Sequence, residues 1–326
     1  MFTRISLYFS WIKVWRTLPV LTWIKANSLY KEKHYDLACR YYKLGLDKHP
    51  HHPARFAVRL DLAYCFFKLH RFAEAQEQLR HIISSTPDFR DAHIRLARIQ
   101  SWVGHSLDAA WTLRRAIQRF GAQTDLVAMF LYNVVEHEGT SYLVHEALKY
   151  AQQIEDSGDN SKNMLLDTAF AKFDLQKGNT ELAKTKLLNI CAQVNCPFEA
   201  VILLSEILLE ENEIEKARQT LKQLMRTVSD HPRILSLMAE TYLKSGEFYN
   251  AEYACQLAIS ACQNSQWNSP RELHILAEAY FHQGDKISAL ILASKAKQTG
   301  SQLMGSYREL KNLDKLIETL SSASLA

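Results

Sequence analysis

Eight alanines recur along this chain at nearly even intervals, and no other feature limits its folding as strongly. Ala38, Ala75, Ala109, Ala147, Ala183, Ala217, Ala251 and Ala289 lie 37, 34, 38, 36, 34, 34 and 38 residues apart. A unit repeated at such a period cannot bury its apolar face alone and must stack on its neighbours. Some way upstream of most of these alanines, a second small residue follows an apolar one. Examples are Leu62-Ala63, Leu96-Ala97, Phe170-Ala171, Leu204-Ser205, Met238-Ala239 and Leu276-Ala277. Downstream, Leu79 and Ile82, Leu113 and Ala116, Leu187 and Ile190, and Leu221 and Leu224 stand on the same helical face as their alanine. The pattern predicts pairs of helices that cross where both carry small side chains. Gly104, Gly178, Gly246 and Gly284 fall between the helices of a pair, where a left-handed residue ends the first helix.

These residues resemble the tetratricopeptide repeat family over roughly residues 19–303. The copies are 19–52, 56–89, 90–123, 128–161, 164–197, 198–231, 232–265 and 270–303, with 19–52 and 128–161 the poorest. Only 10 Gly and 7 Pro in 326 residues agree with a helix-rich chain. The resemblance implies an all-α, right-handed superhelical solenoid of seven or eight helix hairpins. A terminal repeat leaves an apolar flank open. Residues 304–320, with Tyr307, Leu310, Leu313, Ile317 and Leu320 on one face, are expected to cap it, leaving 321–326 as a frayed tail.

Residues 1–18 read as a separate amphipathic helix rich in rings and basic groups. Phe2, Tyr8, Phe9, Trp11, Lys13, Trp15, Arg16 and the nearby Trp23 are the candidate docking residues. Lys13 and Arg16 interrupt the apolar stretch and Pro19 breaks it, which fits neither a signal peptide nor a spanning helix. Three readings stay open: docking on an anionic membrane or a membrane protein through residues 1–25, folding back as a cap on the array, or an unusual targeting role. Charge favours the first. Residues 1–123 carry 20 Lys and Arg against 9 Asp and Glu, whereas residues 124–326 carry 19 against 26.

No catalytic motif is present: there is no phosphate-binding or dinucleotide loop, no nucleophile elbow and no zinc-protease helix. The six cysteines lack metal-ribbon spacing and read as free thiols in a reducing compartment. The run Lys48-His49-Pro50-His51-His52-Pro53 reads as a solvated loop, and Arg114, Arg115 and Arg119 as a solvated face, so neither metal nor nucleic acid is expected. The chain is not expected to be an enzyme or to need a cofactor.

The resemblance also implies that the first helix of each repeat lines a groove for partners. Carried onto this sequence, the groove is aromatic, apolar and cationic at one end, with Leu60, Tyr64, Phe67, Ile94 and Arg98. It is anionic at the other, with Glu206, Glu240 and Glu278, which suits a segment bearing Lys or Arg. Modules of this family that grip acidic chaperone tails use a Lys/Asn/Lys/Arg clamp. Here Asn27 and Arg98 match it, but Trp23, Tyr64 and Ile94 do not. The expected function is a non-enzymatic protein-interaction adaptor, bacterial, cytoplasmic and peripheral to the inner membrane, holding part of an envelope or polysaccharide-assembly machine. The alternatives are a membrane-tethered regulatory or assembly factor, or a soluble adaptor whose N-terminal helix only caps the array.

Overall fold

The computed structural model describes residues 21–135, 141–156, 163–304 and 310–323. The helix expected over 1–18, with Phe2, Tyr8, Phe9, Trp11, Lys13, Trp15 and Arg16, lies outside them, as do Tyr307 and the last three residues. The described residues are helical, without strands. In order the helices are α1 (Leu21–Lys31), α2 (Tyr35–Lys48), α3 (Arg55–Lys68), α4 (Phe72–Ser85), α5 (Arg90–Trp102), α6 (Ser106–Phe120), α7 (Thr124–Val134) and α8 (Ser141–Asp156). Then come α9 (Met164–Gln176), α10 (Thr180–Cys191), α11 (Phe198–Glu210), α12 (Ile214–Met225), α13 (Pro232–Leu243), α14 (Ala251–Asn264), α15 (Pro270–His282), α16 (Lys286–Met304) and α17 (Leu310–Ala323). Two compact units divide the chain, Met1–Ala92 and His93–Ala326.

The turns inside the hairpins share one chemistry. Lys33, His70, Gly104, Gly178, Asn212 and Gly284 all take positive φ, between 55° and 86°. In each case the N–H of the next residue reaches back to a carbonyl five positions earlier, at 2.7–3.0 Å: His34 to Leu29, Arg71 to Phe66, His105 to Gln100, Asn179 to Asp174, Glu213 to Leu208 and Asp285 to Tyr280. This closure satisfies carbonyls that the helix end leaves open. Three of the six positions are glycine and one is Asn212, which tolerates this region; Lys33 and His70 hold it with an ordinary side chain, at about 1–2 kcal/mol each. Gly246 differs: at φ 140° it belongs to a longer connection, closed by Asn250 N–H to the Tyr242 carbonyl at 2.9 Å.

That longer connection shifts the register. Ala38, Ala75, Ala109, Ala147, Ala183, Ala217 and Ala289 are fully buried, but Ala251 is only half-buried at the first position of α14. Ala254, three residues on, is fully buried in its place, with Asn250 capping the helix through Tyr253 N–H. Elsewhere Pro232 and Pro270 open α13 and α15 at the position that needs no N–H donor.

In the N-terminal unit, Trp23 is 4% exposed and not at a docking surface. Its indole N–H points to the Tyr42 carbonyl at 3.4 Å, and its edge meets the His52 ring at 5.0 Å. Gly45 makes room for it, since a Cβ there would stand 2.1 Å from the indole nitrogen. Tyr42, itself buried, donates to Asn27 Oδ1 at 2.6 Å. The C-terminal unit buries a continuous series of aliphatic side chains from α9 to α17, where Leu313 and Leu320 of α17 turn inward. The six cysteines are free, and Cys191 and Cys196 bring their sulfurs to 3.6 Å. No described helix is long and apolar enough to cross a membrane.

Gly45→Ala forces the indole of Trp23 out of its seat and should destabilise the N-terminal unit by about 1–3 kcal/mol through overpacking. A urea titration followed by tryptophan fluorescence measures this; an unchanged midpoint would show that Trp23 repacks without cost.

Candidate functional site

The first helices of successive hairpins in the C-terminal unit lie side by side, α7 against α9, α9 against α11, α11 against α13 and α13 against α15. Their shared wall carries Glu206, Glu240 and Glu278, all half-buried. None of the three stands as a lone charge. Glu206 takes a hydrogen bond from Arg233 Nε at 2.8 Å, with both side chains largely withdrawn from water. Glu240 lies 3.2 Å from Lys244 Nζ, and Glu278 lies 3.4 Å from Nε2 of the buried His274.

The same wall holds further buried polar groups. Lys172 donates to the Tyr132 carbonyl at 2.8 Å and sits 3.6 Å from the centre of that ring. Burial pushes the Glu199 carboxyl up from its ordinary range, while Arg98 and Lys172 draw it back down. Ser236 Oγ lies 3.0 Å from the Arg233 carbonyl and 3.5 Å from the buried Glu272 carboxylate. Across the wall, the end of α5 meets the starts of α13 and α15. Trp102 packs edge-on to His231 at 4.3 Å, Phe198 touches the same imidazole at 5.2 Å, and a Cβ on Gly104 would lie 3.4 Å from that of Ser269. His231 Nδ1 accepts Arg233 N–H at 3.1 Å and so caps α13. Burial first, and the Arg233 charge second, lower the imidazole pKa to about 3.

In the N-terminal unit the comparable surface is aromatic. Tyr30 ends α1, Tyr35 opens α2, and Tyr64 and Phe67 share one face of α3. Ring centres are 6.0 Å apart for Tyr30–Tyr35, 5.5 Å for Tyr30–Tyr64, 6.3 Å for Tyr35–Tyr64 and 6.4 Å for Tyr64–Phe67, the rings tilted or edge-on. All four are half-buried. Lys68 Nζ lies 5.9 Å from the Tyr64 ring centre and 5.8 Å from that of Phe67. Among the described residues the hydroxyls of Tyr30, Tyr35 and Tyr64 take no hydrogen-bond partner. Burial, more than the neighbouring Tyr64 and Asp61, holds the Tyr30 phenol above its ordinary range, so it remains a donor.

The residues expected to line one groove therefore fall into two units. Leu60 is buried in the core of the first, with Tyr64 and Phe67 half-open. In the second, Ile94 is buried, Arg98 exposed and the three glutamates paired. Tyr30 and Tyr35 were not expected at the site, because they sit at helix ends where no repeat position marks them. Arg233, Trp102 and His231 were not expected either. One signal was present: Glu199, Arg233 and Arg271 stand at equivalent places in three successive first helices, six residues before Ser205, Ala239 and Ala277. Among the described residues no three His, Cys, Asp or Glu side chains gather as a metal site.

Residues 29–99 match the family model for the tetratricopeptide repeat. No curated protein sequence matches the chain. Among solved structures, a tetratricopeptide repeat protein from Parabacteroides merdae covers 92% of this chain and 97% of its own, at 10% identity and a TM-score of 0.50. The APC/C hetero-tetramer Cut9–Hcn1 gives a TM-score of 0.67 at 11% identity, over 93% of this chain and 63% of that one. A human IFIT1 dimer with m7Gppp-AAAA gives 0.51 at 12% identity, over 83% and 66%. At these identities the likeness establishes the fold.

Two outcomes follow from the inner wall. Glu206→Gln leaves a desolvated guanidinium without its carboxylate and should cost about 3 kcal/mol, whereas Glu240→Gln, beside the more exposed Lys244, should cost under about 1 kcal/mol. Equal losses in thermal melts would contradict the pairing. His231 is held neutral in the folded state, while in the unfolded chain it takes a proton near pH 6.5. Stability should therefore fall as pH drops from 6.5 toward 3. His231→Asn, which keeps a capping acceptor, should flatten that dependence; a variant with the wild-type pH profile would assign the loss to carboxylates instead.

Proposed function

With tetratricopeptide repeats over residues 29–99 and the tetratricopeptide fold across the described chain, we propose that this protein is a non-enzymatic adaptor that holds protein partners on the walls built by its first helices. The observation that carries this reading is the half-open aromatic face of Tyr30, Tyr35, Tyr64 and Phe67. Large rings with unspent hydroxyls are the groups that dominate binding energy in protein interfaces. A Lys- or Arg-bearing partner on the glutamate wall is the weaker part of the proposal, because Arg233 and Lys244 already pair with Glu206 and Glu240, and the buried His274 imidazole lies beside Glu278.

The adaptor works at a membrane in this reading, through residues 1–25 and on an anionic lipid surface or a membrane protein. Support comes from α1, where Leu21 is 77% exposed and Ile24 is 48% exposed, next to the exposed Lys25. Apolar side chains beside a cation suit an anionic interface. Attachment to an envelope or polysaccharide-assembly machine on the cytoplasmic face of a bacterial inner membrane is the narrowest form of the proposal. It rests on the N-terminal segment and the basic first third of the chain.

Flotation with vesicles containing phosphatidylglycerol tests the membrane part. The full chain should float, rising salt should release part of it, and removal of residues 1–18 together with Leu21→Asp and Ile24→Asp should abolish flotation. Identical behaviour of both proteins would leave an adaptor that works off the membrane. Affinity capture from the source cell with the full chain tests the adaptor part, which requires a protein recovered in constant ratio and released by Tyr64→Ala.

A further inference from the structure

We infer that Cys191 and Cys196 are an oxidative modification site, a thiol pair that small-molecule disulfides convert to an internal disulfide across the α10–α11 connection. Cys191 is the last residue of α10, and Cys196 stands just before Pro197, which leads into α11. Their sulfurs lie 3.6 Å apart, in contact. A disulfide bond is about 2.05 Å long, so closure asks for a movement of about 1.5 Å. The chain can supply it. Cys196 is held in no helix, and Ala192, Gln193, Val194 and Asn195 between the two cysteines are all exposed, Val194 at 85%. Asn195, at φ 64°, turns the chain back toward the helix end that it has just left.

The other four cysteines lack this arrangement. Cys39, Cys65, Cys255 and Cys262 are at most 5% exposed. Cys39 and Cys65 also hydrogen-bond to each other, but they do so inside the core of the N-terminal unit, away from a dissolved oxidant. Cys191 and Cys196 lie at the edge of the aliphatic core, half-buried, with the open connection beside them. Two thiolates do not complete a tetrahedral metal site, and among the described residues no third ligand gathers with them.

Burial first, and Cys196 second, push the Cys191 thiol up to about 12. Burial raises Cys196 as well, but its hydrogen bond with Cys191 draws it back down, so Cys196 ionises first. In exchange with glutathione disulfide, the Cys196 thiolate attacks one sulfur, forms a mixed disulfide and releases one glutathione thiolate. Cys191 then gives up its proton and attacks Sγ of Cys196, which forms the internal bond and releases the second glutathione. The protein loses two electrons and two protons, and the glutathione disulfide gains them as two thiols. The bridge ties the end of α10 to Pro197, whose carbonyl takes a hydrogen bond from Ala200 at 3.1 Å as α11 begins. Phe198, the next residue, packs on His231 at 5.2 Å, and Glu199 faces Arg98 and Lys172. Oxidation thus stiffens the connection that seats the start of α11 in the wall.

Incubation of the full chain with glutathione disulfide, followed by alkylation, trypsin and mass spectrometry, tests this. Both cysteines fall in one peptide, residues 187–216, which should lose two hydrogens while the other four cysteines stay open to alkylation after unfolding. The rate should climb about tenfold per pH unit between about pH 7 and 9, as the thiolate fraction grows. Cys191→Ala should trap glutathione on Cys196, whereas Cys196→Ala should leave Cys191 reacting at least about tenfold more slowly, both at unchanged helicity. Elastase cleavage at Val194 should slow about tenfold in the bridged chain, the scale of a short loop's closure entropy, and dithiothreitol should restore it. A bridge that forms only in urea, a Cys39–Cys65 bridge that forms first, or no glutathione on Cys196 in the Cys191→Ala variant would show that these thiols only fill the core. A bridge that leaves elastase cleavage unchanged would overturn the stiffening.

Discussion

The distance to which two helices can approach governs this structure. At a crossing, any side chain larger than a methyl group holds the axes apart, and packed helices sit within about 8–10 Å of each other. Fully buried alanines at the crossings of successive hairpins set that spacing, and aliphatic side chains such as Leu79, Ile82 and Leu187 fill the volume around them. The same logic reaches its limit at Gly45, where even a methyl group would collide with Trp23. Because the contact is made hairpin by hairpin, the array needs no long-range pairing to stand, and each unit can specialise its wall without disturbing its neighbours.

Two walls with different chemistry result. The wall of the C-terminal unit is polar but inwardly satisfied: Arg233 holds Glu206, Lys172 is tied to Tyr132, and Trp102 rests on His231. Such groups contribute order and cost desolvation, so they give little to an incoming partner unless existing contacts break. The face of the N-terminal unit has rings already in place, tilted or edge-on to one another, and its three tyrosine hydroxyls take no hydrogen-bond partner among the described residues. Preset rings lose little freedom on binding, so that face can bind a partner at lower entropic cost.

How far the sequence discloses this depends on how local each feature is. Helix hairpins and their faces were legible, because small and apolar residues recur along the chain itself. The left-handed turns at Lys33, His70 and Asn212 were not, since nothing in those side chains requires positive φ and only the backbone closure reveals it. Trp23 read as a surface residue from its neighbours in sequence, but its true partners, Tyr42, Gly45 and His52, come from the next helix and loop. That Glu206, Glu240 and Glu278 recur in successive first helices is legible in the sequence. The pairing of Glu206 is not, because Arg233 reaches it from 27 residues away. Tyr30 and Tyr35 escaped notice for a related reason: they converge with Tyr64 only after three helices have packed together.

The exchange of Ala251 for Ala254 bears on how such a chain can change length over generations. Each residue turns an α-helix by about 100°, so a slip of three leaves a side chain about 60° from its former direction, nearly on the same face. A small residue waiting one turn further on can then inherit the buried position, as Ala254 does. Insertions or deletions that advance the helix by three or four residues should thus be absorbed, and those that advance it by one or two should point a polar residue at the crossing. The α13–α14 connection has the form such an accepted slip would leave behind.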